Sequence, residues 1–245
     1  MKNIERWKPS KFVSKKGKLR ASRNKTEVSV SSRFAADLVA SYYDQYLRDH
    51  VNGKLVDLGC GKVPLYESYR IYASECLCAD WESTLHQNPF LDITCDLNAP
   101  LPFPSEEFNT IILSDVLEHI ARPEALWKEM YRILQPGGKI ILNVPFFYKL
   151  HEIPHDYFRY TRYALQNFAS SSGFKIVMLK EMGGLPEILT DLSAKLIYHL
   201  PLIGSYLSIG LQHVGKFVMQ LGIGKKLSAK TSQHFPLGYF MIVEK

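Results

Sequence analysis

Three aspartates in the first half of the chain stand where a nucleoside could be held. Val56-Asp57-Leu58-Gly59-Cys60-Gly61 carries an apolar run into a pair of glycines. Such glycines let the backbone turn tightly and lie close against a ligand. Asp80 follows Asp57 by 23 residues and closes a second apolar run. A carboxylate there can accept both hydroxyls of a ribose. Asp96-Leu97 ends a third run, and an aspartate at that place can take a hydrogen bond from an adenine amino group. Each signal alone is common, whereas their order and spacing together specify a site. A second stretch, Pro145 to Tyr160, combines aromatic surface with His151, His155 and a neighbouring Asp156. Within it, His151-Glu152-Ile153-Pro154-His155 has the HExxH spacing of zinc proteases, which needs both histidines on one face of a continuous helix. Pro154 removes a backbone donor and clashes with the preceding turn, so no metal is expected.

The elements that must position these residues alternate along the chain. Strands are expected at Lys54–Leu58, Glu75–Ala79, Ile93–Cys95, Thr110–Leu113, Lys139–Val144, Lys175–Leu179 and Tyr239–Val243. A helix starts at Ser31 or Ser32, either able to cap it, and ends before Asn52-Gly53. Another begins near Pro123 and is stopped by Pro136-Gly137-Gly138, and a third covers Thr161–Ser171. This order predicts an α/β fold, a doubly wound, Rossmann-like seven-stranded sheet with helices on both faces. Ligands of such sheets bind at the carboxyl ends of the strands, where the three aspartates fall. The segment from about 183 to 236 is a helical insertion before the last strand.

The 245 residues suffice for one large domain. The formal charge of +6 is unevenly spread: Met1 to Arg33 hold 11 basic and two acidic residues, and the remainder is net −3. Residues 1–30 read as a basic, solvated arm and residues 31–245 as the domain, which argues against a uniformly basic nucleic-acid-binding surface. Cys60, Cys76, Cys78 and Cys95 all lie in the sheet region without a CxxC pair. They read as small buried hydrophobes of a cytoplasmic protein, not a zinc ribbon or disulfide framework. Lys195 and Lys216 bracket twenty uncharged residues, but Pro201, Gly204 and Gly210 make them a poor membrane span. A pair of short buried or interfacial helices is expected there.

The quoted residues resemble the class I S-adenosylmethionine-dependent methyltransferases, specifically the type 11 methyltransferase-domain family, over roughly Leu55 to Val144. Asp57 to Gly61 match that family's glycine-rich loop, Asp80 and Trp81 its ribose-binding position, and Asp96-Leu97 its adenine side. Leu101-Pro102-Phe103 and Phe108 match the approach to the fourth strand. Ser114-Asp115-Val116-Leu117-Glu118-His119-Ile120 match the loop along the methionine part of the cofactor, and Leu134 to Gly138 the turn before the fifth strand. The resemblance implies S-adenosyl-L-methionine as cofactor, held by Asp57, Gly59, Cys60, Gly61, Asp80, Trp81, Asp96, Leu97, Ser114 and His119. One departure is Val63, followed by Pro64, where the family has a third glycine.

The resemblance further implies in-line methyl transfer, with the Pro145–Tyr160 loop over the cofactor as the acceptor wall. His155 and His151 are candidate general bases, with Asp156 able to orient an imidazole; Arg159 and Arg162 either meet an anionic acceptor or are solvated. The chain lacks the Pro-Pro-aromatic loop of nucleobase amino methyltransferases after the fourth strand and a Pro-Cys nucleophile. A small-molecule, saccharide or lipid-linked acceptor remains, methylated on oxygen. Bacterial proteins with a similar His-Asp-Tyr-Phe-Arg-Tyr-Thr stretch are associated with surface-polysaccharide biosynthesis, which favours a sugar hydroxyl. The alternatives are RNA or protein methylation guided by the basic arm, or cofactor binding without catalysis. The apolar insertion either docks peripherally on the inner membrane face, helped by the arm, or serves as a lid or homodimer interface.

Overall fold

In the computed structural model, which describes residues 1–82 and 88–245, the lysine-rich start of the chain folds instead of trailing in solvent. Strands β1 (Phe12–Lys15) and β2 (Lys18–Ala21) form an antiparallel hairpin with Phe12 opposite Ala21. Lys16 and Gly17 at its tip have φ of 53° and 72°, the left-handed pair that a two-residue hairpin turn uses. Phe12 and Ala21 are buried. The expected solvated arm is therefore corrected: the exposed lysines mask two short strands, each with one buried side chain at the hairpin's open end.

The chain continues through α1 (Arg33–His50), β3 (Lys54–Leu58), α2 (Tyr66–Tyr69), β4 (Glu75–Asp80), β5 (Ile93–Thr94) and β6 (Phe108–Ser114). There follow α3 (Pro123–Ile133), β7 (Leu134–Pro145), α4 (Arg162–Ser171), β8 (Lys175–Met182), α5 (Leu185–Tyr198), α6 (Gly204–Gln220), α7 (Gly222–Thr231) and β9 (Gly238–Glu244). These elements sort into two units.

The unit made of Pro9–Gln45 and Glu181–Gly238 is helical around the hairpin. Asp37 of α1 is its polar anchor. The Ala21 N–H donates to Asp37 Oδ1 at 2.7 Å, Arg23 pairs with Oδ2 at 3.0 Å, and Lys216 of α6 pairs with the same oxygen. Burial alone would raise this carboxyl's pKa, but these partners hold it below the usual range. The insertion contains three helices, and α5 and α6, of 14 and 17 residues, are longer than the short pair expected. Pro201 falls in the turn between them, which leaves both helices uninterrupted. Leu196, Leu202, Tyr206 and Phe217 are exposed here, Leu202 at 96%. Among the described residues no helix is long and apolar enough to cross a membrane.

The unit made of Met1–Lys8, Tyr46–Lys180 and Tyr239–Lys245 holds the sheet, in the order β5-β4-β3-β6-β7-β9-β8. The pairs β5/β4, β4/β3, β3/β6 and β6/β7 are parallel. Gly137 N donates to Lys245 O and Lys245 N to Gly138 O, each at 2.9 Å, so β9 runs against β7. Alternate residues of each strand face opposite sides. Val56, Leu58, Ile111 and Leu113 join Leu126, Trp127, Met130 and Leu165 of α3 and α4 in one buried core. On the other face Tyr69 of α2 reaches Asp57, and Tyr46 at the end of α1 stacks on Phe240 with centroids 5.6 Å apart. Helices thus cover both faces, as the sequence predicts. Strand β7 begins at Leu134, earlier than the expected Lys139, with a register irregularity across Pro136-Gly137-Gly138.

Candidate functional site

At the carboxyl ends of β3, β4 and β6 opens a pocket of about 470 Å³, a size suited to a small-molecule ligand. Its first wall is the turn after β3. Gly59 and Gly61 have φ of 67° and 49°, and a Cβ on Gly59 would lie 2.7 Å from the methyls of Val116. Only glycine fits that combination without strain. Val63, where the resembling family carries glycine, is itself left-handed at φ 52°; the backbone keeps the turn although the residue differs. Asp80, at the end of β4, is nearly buried. Its Oδ2 accepts from Gly61 N and its Oδ1 from Trp81 N, both at 2.8 Å. The same carboxylate that can face a ribose thus ties the glycine turn in place.

Asp96 and Leu97 also line the pocket, beside Asn98. Asp96 Oδ1 accepts from the Asn98 N–H at 2.8 Å, and Asn98 Oδ1 accepts from Ala121 N at 2.8 Å. This chain of bonds joins the adenine-side turn to the segment after β6. In that segment Asp115 sits at φ 52°, accepts from Asn143 Nδ2 at 2.5 Å, and lines the pocket with Val116 and His119.

The opposite wall comes from residues 151–160, docked on the turn at Leu117–His119. Tyr157 N and Phe158 N donate to Glu118 O at 2.9 and 3.2 Å, and the buried Tyr160 hydroxyl donates to Leu117 O at 3.0 Å. Glu152, Ile153, Pro154, His155 and Tyr157 line the pocket. The His155 ring meets Trp81 edge-on, with centroids 5.1 Å apart, and its Nδ1 lies 3.1 Å from the Tyr157 hydroxyl. Asp156 faces the more distant histidine, not its neighbour: Oδ2 accepts from His151 N at 2.9 Å and lies 3.3 Å from His151 Nδ1. The Arg159 guanidinium grips Asp156 with two bonds of 2.6 and 2.7 Å. That grip holds the Asp156 carboxyl down to about 2. Arg159 is thereby committed to Asp156 within the loop.

Eight of the expected residues therefore meet in one pocket: Gly59, Gly61, Asp80, Trp81, Asp96 and Leu97 on one side, with His119 and His155 on the other. Asp57, Cys60, Ser114, His151 and Asp156 do not line it. Asp57 is buried beneath the turn and accepts from the Tyr69 hydroxyl at 3.0 Å. Burial lifts its carboxyl to about 7. Ser114 gives its hydroxyl to Asn143 Oδ1 at 2.9 Å. The HExxH stretch is a turn-rich loop, not a helix. Asn98 carries no sequence signal; Asp115 and Glu118 stand in the methionine-side loop and Tyr157 in the acceptor wall, but nothing in the sequence singles them out or shows that Glu118 is fully buried between His119 and His151.

A left-handed glycine turn, a buried acid at the end of β4 and an open adenine-side turn are the features S-adenosylmethionine requires, and the residues present fit it. Residues 56–142 match the family described as a methyltransferase domain. Over 87 residues the chain is 36% identical to an uncharacterized protein of Methanocaldococcus jannaschii, covering 34% of this chain and 41% of that one. It is 30% identical over 88 residues to the ubiquinone/menaquinone biosynthesis C-methyltransferase UbiE of Neisseria meningitidis, covering 36% of each. The match thus spans about two fifths or less of these relatives' lengths. A SAM dependent methyltransferase from Archaeoglobus fulgidus superposes with a TM-score of 0.56 at 14% identity, covering 88% of this chain and 97% of that one; at that identity it attests the fold. Residues 56–142 thus match the methyltransferase-domain family, and the sheet built around them has the fold of solved S-adenosylmethionine-dependent methyltransferases.

Proposed function

We propose that this chain methylates an oxygen of a small-molecule, saccharide or lipid-linked acceptor. Bound at the glycine turn, S-adenosylmethionine supplies an electrophilic methyl on a sulfonium. Gly59 and Gly61 let the backbone approach it, Asp80 accepts the ribose hydroxyls, and Asp96 with Leu97 borders the adenine. The observation that carries this reading is that the pocket continues from these groups to His119, His155 and Tyr157. An acceptor there stands across from the cofactor turn, as in-line transfer demands. His155 is the imidazole exposed to the pocket with a nitrogen near the Tyr157 hydroxyl. It takes the acceptor's proton as the new bond forms. His151 and Asp156 then act from behind the wall, not as bases.

The apolar exposures of α5 and α6 support peripheral contact with a membrane or a second copy of the chain. Flotation with anionic liposomes at low salt separates the two: recovery in the floating fraction supports the membrane, and its absence with a dimeric mass supports self-association. The catalytic proposal is tested by calorimetry with S-adenosylmethionine, followed by label transfer from its methyl group to a panel of nucleotide sugars, glycolipids and phenols. Cofactor binding with a labelled hydroxyl acceptor is expected. Label on RNA, protein or carbon alone would overturn the substrate class.

A further inference from the structure

Glu118 is an anomaly of this fold. Its side chain is fully buried, and among the described residues neither carboxylate oxygen has a hydrogen-bond partner. An unsatisfied carboxylate in the interior is costly, so the groups aimed at it indicate what would complete it.

Those groups are two imidazole nitrogens. His151 Nε2 lies 3.6 Å from Glu118 Oε1, and His119 Nε2 lies 3.8 Å from the same oxygen. All three side chains bring a ligand atom within 4.8 Å of the others. These separations exceed the roughly 2.7–3.2 Å of a hydrogen bond. Two donors each about 2.1 Å from one ion lie about 3.4 Å apart at a tetrahedral angle, close to what is found.

The outer nitrogens strengthen the case. His119 Nδ1 lies 2.9 Å from the carbonyl of His155, which can only accept. That nitrogen therefore carries a proton, which leaves Nε2 as the ring atom that can face an ion. His151 Nδ1 lies 3.3 Å from Asp156 Oδ2, itself fixed by Arg159. The carbonyl behind His119 is the support that metal-binding histidines use to set their tautomer, while the Asp156 carboxylate stands behind His151 without a hydrogen bond to Nδ1. Glu152 Oε2 lies 3.9 Å from His119 Nε2 at the pocket's edge, a further oxygen donor within reach.

We propose that Glu118, His119 and His151 bind one divalent first-row transition ion, zinc foremost, whose open position faces the pocket. Two imidazoles and a carboxylate suit such ions better than magnesium or calcium, which prefer all-oxygen sets. The ligands are not the HExxH pair, since His155 contributes only its carbonyl, behind His119. That the open position meets an acceptor oxygen rests on the methyl-transfer reading, whereas ion binding itself does not.

The test uses the full chain, stripped with a chelator and titrated with zinc against a competing chromophoric chelator. One ion per chain is expected, with Glu118→Gln and His151→Asn each weakening binding about tenfold or more. His234→Asn, at an exposed surface histidine, should match the wild type. Substoichiometric binding, or wild-type affinity in both ligand variants, would overturn the proposal. Should those variants fail to fold, cobalt added to the wild-type chain decides. Ligand-field bands without a thiolate charge-transfer band support the site, and their absence or a thiolate band refutes it. Calorimetry with S-adenosylmethionine on the stripped chain separates the two readings. Cofactor binding without zinc binding removes the metal site alone, whereas zinc binding without cofactor binding removes the methyl-transfer reading and leaves the site.

Discussion

At the end of β4, Asp80 accepts from the Gly61 N–H on one carboxylate oxygen and from the Trp81 N–H on the other. Across the pocket, Asp156 is gripped by the Arg159 side chain and faces the His151 ring, while Glu118 stands 3.6 and 3.8 Å from two imidazole nitrogens. One wall is therefore held by backbone geometry that side chains reinforce. The other depends more on side chains: Asp156 ties Arg159 to the His151 N–H, and Tyr157, Phe158 and Tyr160 bond the main chain of Leu117 and Glu118. The first wall suits a ligand that never changes, such as a cofactor. The second, set by individual side chains, suits a ligand that differs from one protein to the next.

The largest effect is expected where one residue serves both backbone and ligand. Asp80→Ala removes two charge-assisted contacts to a ribose, each worth about 1.5–3 kcal/mol, and frees Gly61. Calorimetry should show cofactor affinity lowered by about a hundredfold or more, with Asp80→Asn losing less. A change below about threefold for the alanine variant would break the assignment of the first wall. On the second wall, His155→Ala and His155→Gln should each lower kcat about a hundredfold at saturating cofactor, the scale of general-base catalysis, without changing cofactor affinity. Near-normal turnover in both would remove the base from His155.

This difference between the walls also governs how much could be read from the sequence. The cofactor side was legible because its constraints are local: glycine at positive φ and an acid at the end of a strand leave fixed residue types at fixed spacing. The seven strands and α1, α3 and α4 were legible through periodicity, with bounds shifting by a few residues at β7 and β8. Partners across the fold were not legible. Nothing in the sequence tells that Asp156 turns to His151 and not to its neighbour His155, or that Glu118 is enclosed between histidines 32 residues apart in the chain. At Asp57 the motif position points to a ligand contact but does not reveal depth, and in the fold Tyr69 covers it. The hairpin in the arm escaped for another reason: four-residue strands carry too little alternation to stand out from lysines.

Asp57 makes a thermal test of the first wall. Its pKa in the fold is raised to about 7 from an ordinary carboxylate value by burial. The folded state thus holds this proton more tightly than the unfolded chain does. Its stabilising share is complete below about pH 4 and is lost as pH rises through 7. Asp57→Asn, permanently neutral, should therefore gain about 2 kcal/mol more over the wild type at pH 8 than at pH 5. For a chain of this size that difference is about 5 °C in Tm. An advantage that does not grow with pH would mean that water reaches the carboxyl and the turn is looser than described.

The mirror-image test falls on the second wall and is the smallest. Asp156 is held down to about 2 by Arg159, so here the unfolded chain binds the proton more readily. The stabilising share is present above about pH 4 and fades as pH falls toward 2. Arg159→Met keeps the apolar stem and removes the fork. It should melt a few °C below the wild type at pH 7, with the gap narrowing on acidification, opposite in direction to Asp57→Asn. If Asp156 also orients the His151 ring, the same variant shifts the His151 imidazole resonances in NMR while leaving cofactor affinity unchanged. A loss of cofactor binding in Arg159→Met would show that the two walls do not stand independently. The contrast between a backbone-built cofactor turn and a side-chain-built acceptor wall would then have to be replaced by a single cooperative site.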